Sequence, residues 1–382
     1  MNVNTFSKLC SVVGIVAVAF TISGCNINQT NEQSAQVMGQ LSPKVQGMLH
    51  RQNTSEAIDV EFAKRFDDKM AQAKKLVTVD GDTITVKHKF GTTVMPKTHQ
   101  RIVVIRMEDP ILALDVPFLA GNYNPNHYLY EQLSAKDINV ISVNDDSKTI
   151  NYEQVQAEKP DLIIMRDSFD QNVYNALNKI APTAAFDLRQ DETSLLALSM
   201  ALGIPETGEL RLREYYSKAK FYRMALHEHI GDKTVALLRV LNKEIRLYPY
   251  SKNDINRFMY ELLNLNPPLM VLEADFSTTN NAISLERLPD MKADYLLISS
   301  GYGPSSKQNN KIAQNRLESM KRDELWHKIP AVQQGHVEEV DTTVWNAHGI
   351  LAKEQSMKSI YDAWGNKWYS GISNLLVVKH KK

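Results

Sequence analysis

Cysteine is almost absent from this chain: 2 of 382 residues, Cys10 and Cys25. A fold with so few thiols cannot be stapled by several disulfides or built around cysteine metal ligands. An excess of charge of one sign is also missing. Lys plus Arg and Asp plus Glu both count 44, so there is no basic footprint for nucleic acid. Enzyme motifs are missing as well: no G-x-S-x-G elbow, no Walker A loop, no G-x-G-x-x-G after the first strand. Histidines do not cluster. His227 and His229 stand two apart on a helical stretch and face different sides, while His127, His327, His336 and His348 are scattered. Gly301-Tyr302-Gly303-Pro304 reads as a turn after a strand, not as a phosphate cradle. Catalysis and a protein-held metal are both without a motif.

Long apolar runs are absent too, apart from one at the N-terminus. Leu9 to Ile22, preceded by Lys8, is too short for the roughly 20 residues that span a bilayer and suits a signal h-region. Ile22-Ser23-Gly24-Cys25 resembles a bacterial lipobox, in which the cysteine is acylated and becomes the mature N-terminus. Residues 1–24 are then a lipoprotein signal peptide and Cys25 the lipidation site. Its removal takes one lysine and no acid, leaving 43 basic against 44 acidic residues, and no other cysteine. The expected location is the extracytoplasmic side of the cell membrane, with a lipid anchor and a soluble body. The short basic run Lys379-His380-Lys381-Lys382 is a solvated tail.

What is present is an ordinary globular composition, 43% hydrophobic and 23% charged, and a length sufficient for two cores. Residues 25–75 read as a polar tether followed by one or two helices of no assigned role. Val77 to Val86 signals a hairpin around Asp80-Gly81. The organising stretch is Pro205 to Ile230. Thr207 is the expected N-cap, Gly231 the stop, and Leu212, Tyr215, Tyr216, Ala219, Tyr222 and Leu226 share one helical face. Roughly 21 residues at 1.5 Å each give a strut about 30 Å long.

On both sides of the strut, short apolar strands alternate with helices. The expected strands are Arg101–Ile105, Phe118–Ala120, Val140–Ser142, Asp161–Met165 and Thr183–Phe186 before it. After it come Thr234–Val240, Glu244–Tyr248, Met270–Leu272, Tyr295–Ile298 and His336–Val340. The fold class is therefore α/β: two Rossmann-like lobes with mostly parallel sheets, joined by one long rigid α-helix, with a cleft between them. Residues 76–205 form the N-terminal lobe, 206–231 the linking helix, and 232–382 the C-terminal lobe with its last helix and tail.

Open α/β sheets bind ligands beyond the carboxyl ends of their strands. Those ends carry Arg106, Tyr123 (flanked by Asn122 and Asn124) and Arg166 in the first lobe, and Arg239, Arg246, Tyr302 and Trp345 in the second. Arginines beside aromatic rings suit an anionic or oxygen-rich ligand with an organic body.

The order of several phrases is informative. They are Gln100-Arg101-Ile102-Val103-Val104, Asn151-Tyr152-Glu153-Gln154-Val155 leading to Lys159-Pro160-Asp161-Leu162, and Lys179-Ile180-Ala181-Pro182-Thr183. Val235 to Val240, Ile283 to Leu288 and Ala331 to Val337 follow in the second half. From Thr83 to Trp364 the chain resembles the substrate-binding lipoproteins of iron–siderophore ABC importers, relatives of haem- and cobalamin-binding proteins. The resemblance implies capture of a ferric siderophore in the cleft and delivery to a membrane permease and its ATPase. It implies no cofactor and no enzyme activity, with the iron held by the chelator and not by protein ligands, in a monomer that binds no nucleic acid. It also implies that Glu153 and Glu286, one per lobe, dock on permease arginines. Leu237-Leu238-Arg239-Val240 is similar to the hydroxamate-binding branch. Gly121-Asn122-Tyr123-Asn124 departs from the family's usual glycine-rich phrase. A haem- or cobalamin-binding lipoprotein of the same fold, or a lipid-anchored surface hydrolase, are the alternatives; the last needs a nucleophile beside a base, and no serine sits in such a motif.

Overall fold

Proline and glycine bracket the central helix. Pro205 occupies its first turn, where a missing N–H costs nothing, and Gly231, at φ +57°, ends it after Ile230. The helix is thus 26 residues, close to 39 Å. Thr207 is not its cap: Pro205, with φ preset for the first turn, starts the helix one residue after Ile204. Gly208 lies inside it because a Cβ there would come within 2.0 Å of Ser199 Oγ on the preceding helix, Asp191–Ala201. The expected buried face is present, except that Tyr222 is only half-buried and Arg223 is wholly buried in its place.

A computed structural model describes residues 51–144, 149–250, 253–274 and 277–365. The expected signal peptide, the expected lipidation site Cys25, the expected tether to residue 50 and the tail from 366 lie outside the described residues. Both lobes and the linking helix fall in one compact unit, Pro43–Lys382.

The first lobe holds a five-stranded sheet. Its strands are β4 (Ile102–Ile105), β5 (Ala120–Gly121), β6 (Asn139–Val140), β7 (Leu162–Arg166) and β8 (Thr183–Phe186), ordered β6-β5-β4-β7-β8. Every pair is parallel. β4 and β7 are apolar at nearly every position, as strands covered on both faces must be. Val103, Ile105, Ile163, Met165, Val173 and Leu177 form its core.

The second sheet is mixed, with order β11-β10-β9-β12-β13. β9 (Val235–Val240), β12 (Tyr295–Ser300) and β13 (Val337–Val340) run parallel. β10 (Ile245–Leu247) and β11 (Asn281–Ile283) are antiparallel to their neighbours. The cause is the short connection from β9 to β10, which can only fold back as a hairpin. The expected strand Met270–Leu272 is instead a helix, Leu269–Glu273, entered from Pro268 in an extended conformation. The segment is too short for periodicity to separate the two.

A third, antiparallel sheet precedes these, made of β1 (Val77–Asp80), β2 (Thr83–His88) and β3 (Gly91–Pro96). Its first turn is Gly81-Asp82, one residue later than expected, since Asp80 already pairs with Thr83. Among the described residues, the helix Ser55–Leu76 precedes this sheet. Arg65 on this helix bonds Glu192 of the first lobe at 2.9 Å, and Glu61 accepts from the buried Arg223 of the linking helix at 2.9 Å. Just upstream, Arg51 donates to the carbonyls of Glu261 and Tyr260 in the second lobe at 2.6 and 2.8 Å. This segment therefore touches both lobes and the helix between them.

Candidate functional site

Loops following β4, β5, β7, β12 and β13 converge on a cleft of about 390 Å³. Parallel strands put all these carboxyl ends on one edge, as the sheet topology requires. Arg106, directly after β4, has φ +59°, a conformation costly for a side chain with a Cβ. The bend lets the Arg106 and Asn122 N–H groups both donate to Glu108 Oε1, at 3.1 and 2.6 Å. Glu108 and Asp109 are each only 3% exposed. Burial pushes Glu108 up to about 7, against two N–H donors and Arg106 that favour its anion.

Asp109 reaches across to the other lobe. It accepts N–H groups of Leu351 at 3.1 Å and Ala352 at 2.9 Å, at the start of helix Ile350–Ile360, and the Tyr128 hydroxyl at 2.7 Å. A first-lobe carboxylate thus caps a second-lobe helix. Burial still raises Asp109 to about 6, despite these donors. Gly349 makes the approach geometrically allowed: φ is +122°, and a Cβ would sit 2.3 Å from Asp109 Cγ. Across the mouth, Asn124 Nδ2 donates to Ser305 Oγ and Asn126 Nδ2 to the Pro304 carbonyl, both at 3.2 Å.

Four of the seven strand-end residues line this cleft: Arg106, Tyr123, Arg166 and Tyr302. Arg106 stacks over Phe169 at 5.5 Å. Tyr123 donates its hydroxyl to the Ile138 carbonyl, and Tyr302 donates its own to Asn242 Oδ1. Arg166, the last residue of β7, has a buried Nε with no hydrogen-bond partner among the described residues. Burial, then the neighbouring Arg189, lowers its pKa.

The other three stand outside the lining residues. Arg239 donates to the carbonyls of Gly301 and Tyr302 at 2.9 and 2.7 Å, bracing the loop after β12 from below. Arg246 belongs to antiparallel β10, faces Arg239 in the register and pairs with Glu244. A strand running the opposite way presents its carboxyl end away from the shared edge. Trp345 does follow β13, but it turns inward: it is 3% exposed, edge-on to Phe258 at 6.2 Å, with Nε1 donating to Ser359 Oγ at 3.1 Å.

The lining also includes polar residues that strand-end reasoning did not single out: His127, Tyr128, Ser305, Ser306, Thr342, Thr343, Asn346 and His348. In sequence these are ordinary turn and cap residues, and their one shared signal is position in loops after parallel strands. Burial, with Arg106 nearby, pushes His127 down to about 4. His348 pairs with Asp254 at 2.5 Å; burial opposes the Asp254 anion, yet His348 and Lys353 hold it well below the usual carboxylate range. Glu153 and Glu286 lie elsewhere, exposed in the first turns of helices Tyr152–Ala157 and Leu285–Met291.

Comparison with known proteins agrees with this architecture. The probable siderophore-binding lipoprotein YfiY of Bacillus subtilis is 29% identical over 288 residues, covering 73% of this chain and 86% of that protein. The iron(3+)-hydroxamate-binding protein FhuD of the same organism is 25% identical over 270 residues, covering 68% and 79%. Among solved structures, Staphylococcus aureus SirA complexed with staphyloferrin B superposes with a TM-score of 0.62 at 20% identity, covering 73% of this chain and 97% of SirA. That likeness establishes the fold. Residues 115–343, more than half of the chain, match the family model described as periplasmic binding protein, and the chain belongs to that family.

Proposed function

We propose that this protein captures a ferric siderophore in the inter-lobe cleft and delivers it to an ABC importer. The observation that carries the proposal is the cleft itself: strand-end loops of two lobes surround it, and Arg106 and Arg166 stand on its wall. The relatives YfiY, a probable siderophore-binding lipoprotein, and FhuD, an iron(3+)-hydroxamate-binding protein, support the same ligand class. Iron arrives inside its chelator as cargo, so the wall has to recognise ligand oxygens and an organic body. Arg106, Arg166, Tyr123 and Tyr302 are the proposed contacts. Arg239 supports the loop that carries Tyr302, so the lean towards a hydroxamate draws its support from the likeness to FhuD and not from Arg239.

Residues 1–24 are proposed to be removed and Cys25 acylated, which tethers the body to the extracytoplasmic membrane face. Glu153 and Glu286 are the proposed permease contacts; both are exposed acids in first turns, where the helix field favours the anion. Titrating the full-length protein in detergent with ferric hydroxamates, catecholates and citrate, read by tryptophan fluorescence, tests the proposal. Quenching by at least one chelate is expected; a folded protein quenched by none refutes it. Replacing both glutamates by alanine is expected to abolish uptake while leaving that quenching unchanged.

A further inference from the structure

Residues 51–76 lie ahead of residues 115–343, which match the family model, and none of them is among the residues lining the cleft. Both lobes and the helix between them are nonetheless built to receive this segment. Glu192 of the first lobe is buried, and its ion pairs among the described residues are with Arg65 at 2.9 Å and Lys69 at 3.6 Å, both on the segment. Arg223 of the linking helix is fully buried. It donates to Asn53 Oδ1 at 2.7 Å, Glu61 Oε2 at 2.9 Å and the Gln52 carbonyl at 3.0 Å. In the second lobe, Asn264 stands at φ +52°, and its amide donates to Asn53 Oδ1 at 2.8 Å and to the Arg51 carbonyl at 3.2 Å. Arg51 in turn donates to the carbonyls of Tyr260 and Glu261 and pairs with Glu61. Phe62 and Phe66 are buried against the linking helix, Phe62 at 5.1 Å from the Tyr216 ring and Phe66 at 3.8 Å beneath the Arg213 guanidinium.

A buried carboxylate or guanidinium that loses its partner is strongly destabilising, so Glu192 and Arg223 both depend on the segment staying in place. The linking helix joins the two lobes along one line. The segment adds a second line, from Glu192 in one lobe to Asn264 in the other. We propose that residues 51–76 are a clasp that holds the lobes at a fixed spacing, with the Arg51–Asn53–Asn264 junction as its latch. The width of the cleft is then set before any ligand arrives, which lowers the ordering cost of binding.

Amide hydrogen exchange of the full-length protein in detergent, with no chelate added, tests the clasp apart from the proposed ligand. The reporters are the N–H groups of Leu351 and Ala352, which bond Asp109 across the lobe boundary and, at a helix start, have no helical acceptor. Arg51→Ala cuts the latch from the segment's side. Asn264→Gly cuts it from the second lobe, since glycine keeps the left-handed turn and removes the side-chain amide. Each variant is expected to speed exchange at Leu351 and Ala352 at least roughly tenfold, while amides within β4 and β9 stay as protected as in the unmodified protein. Unchanged exchange at Leu351 and Ala352 in both variants overturns the proposal. Equal acceleration within β4 and β9 overturns it too, because the segment would then be a general stabiliser of the fold. Either failure leaves the siderophore reading to be decided by the chelate titration.

Discussion

The cleft has two unlike walls. The first-lobe wall is made of ionisable groups under constraint: half-buried Arg106 at positive φ, half-buried Arg166 with no partner for its Nε among the described residues, and Glu108 and Asp109 raised by burial. The second-lobe wall is mostly short polar side chains on turns, joined by Tyr302 and by His348 with its partner Asp254. The difference follows from topology. The first sheet is parallel throughout, so three of its strands deliver charged or polar ends to one edge, whereas in the second lobe Arg246, opposite Arg239 in the register, is held by Glu244 on its own hairpin. One wall is thus specialised for charge and strain, and the other for adaptable hydrogen bonding.

The largest expected effect comes from removing the point where the walls meet. Asp109→Ala leaves the N–H groups of Leu351 and Ala352 and the Tyr128 hydroxyl without their acceptor in a buried site. The expected loss is about 2–4 kcal/mol of stability, measured by urea unfolding, together with weaker ligand binding, because the loop before Leu351 carries Thr342, Asn346 and His348. Unchanged stability would show that the walls are held independently.

Glu108 gives a smaller and pH-dependent effect on the first wall alone. Its native pKa is raised from 4.5 to about 7, so the native state holds a proton that the unfolded chain has released. Stability therefore falls as pH rises from about 4.5 to 7, by about 3 kcal/mol. Both N–H donors use Oε1, so the amide oxygen of Glu108→Gln can keep them while removing the titration. The variant is expected to flatten the slope of urea-derived stability against pH in that interval. A slope equal to that of the unmodified protein would assign it to other groups.

How much of this was legible in the sequence depends on how local each signal is. The linking helix was legible because Pro205, Gly231 and a long uninterrupted run act within one segment. The cleft position of Arg106, Tyr123, Arg166 and Tyr302 was legible because each follows a strand parallel to its neighbours. Burial of Arg223 was not, because its partners Asn53 and Glu61 sit far away in sequence. The Asp109 cap was illegible for the same reason: Glu108-Asp109-Pro110 looks like any acidic helix start, and its acceptor role exists only once Gly349 has been folded against it.

The smallest effects separate Arg239 from Arg246 in the second lobe. Arg239 satisfies two carbonyls in the loop that bears Tyr302, so Arg239→Ala is expected to weaken ligand binding indirectly, by about 1 kcal/mol, less than any loss at Arg166. Arg246 pairs only with Glu244 on the same hairpin among the described ion pairs, and both side chains are about one-third exposed, at 30% and 33%. An ion pair in such a setting is worth little after solvent screening, and Arg246→Ala is expected to change stability by no more than about 0.5 kcal/mol and affinity by nothing measurable. Parallel titrations of the two variants with one chelate would decide the matter. If Arg246→Ala costs as much affinity as Arg239→Ala, the ligand extends beyond the cleft onto β10, and the second wall is charged after all.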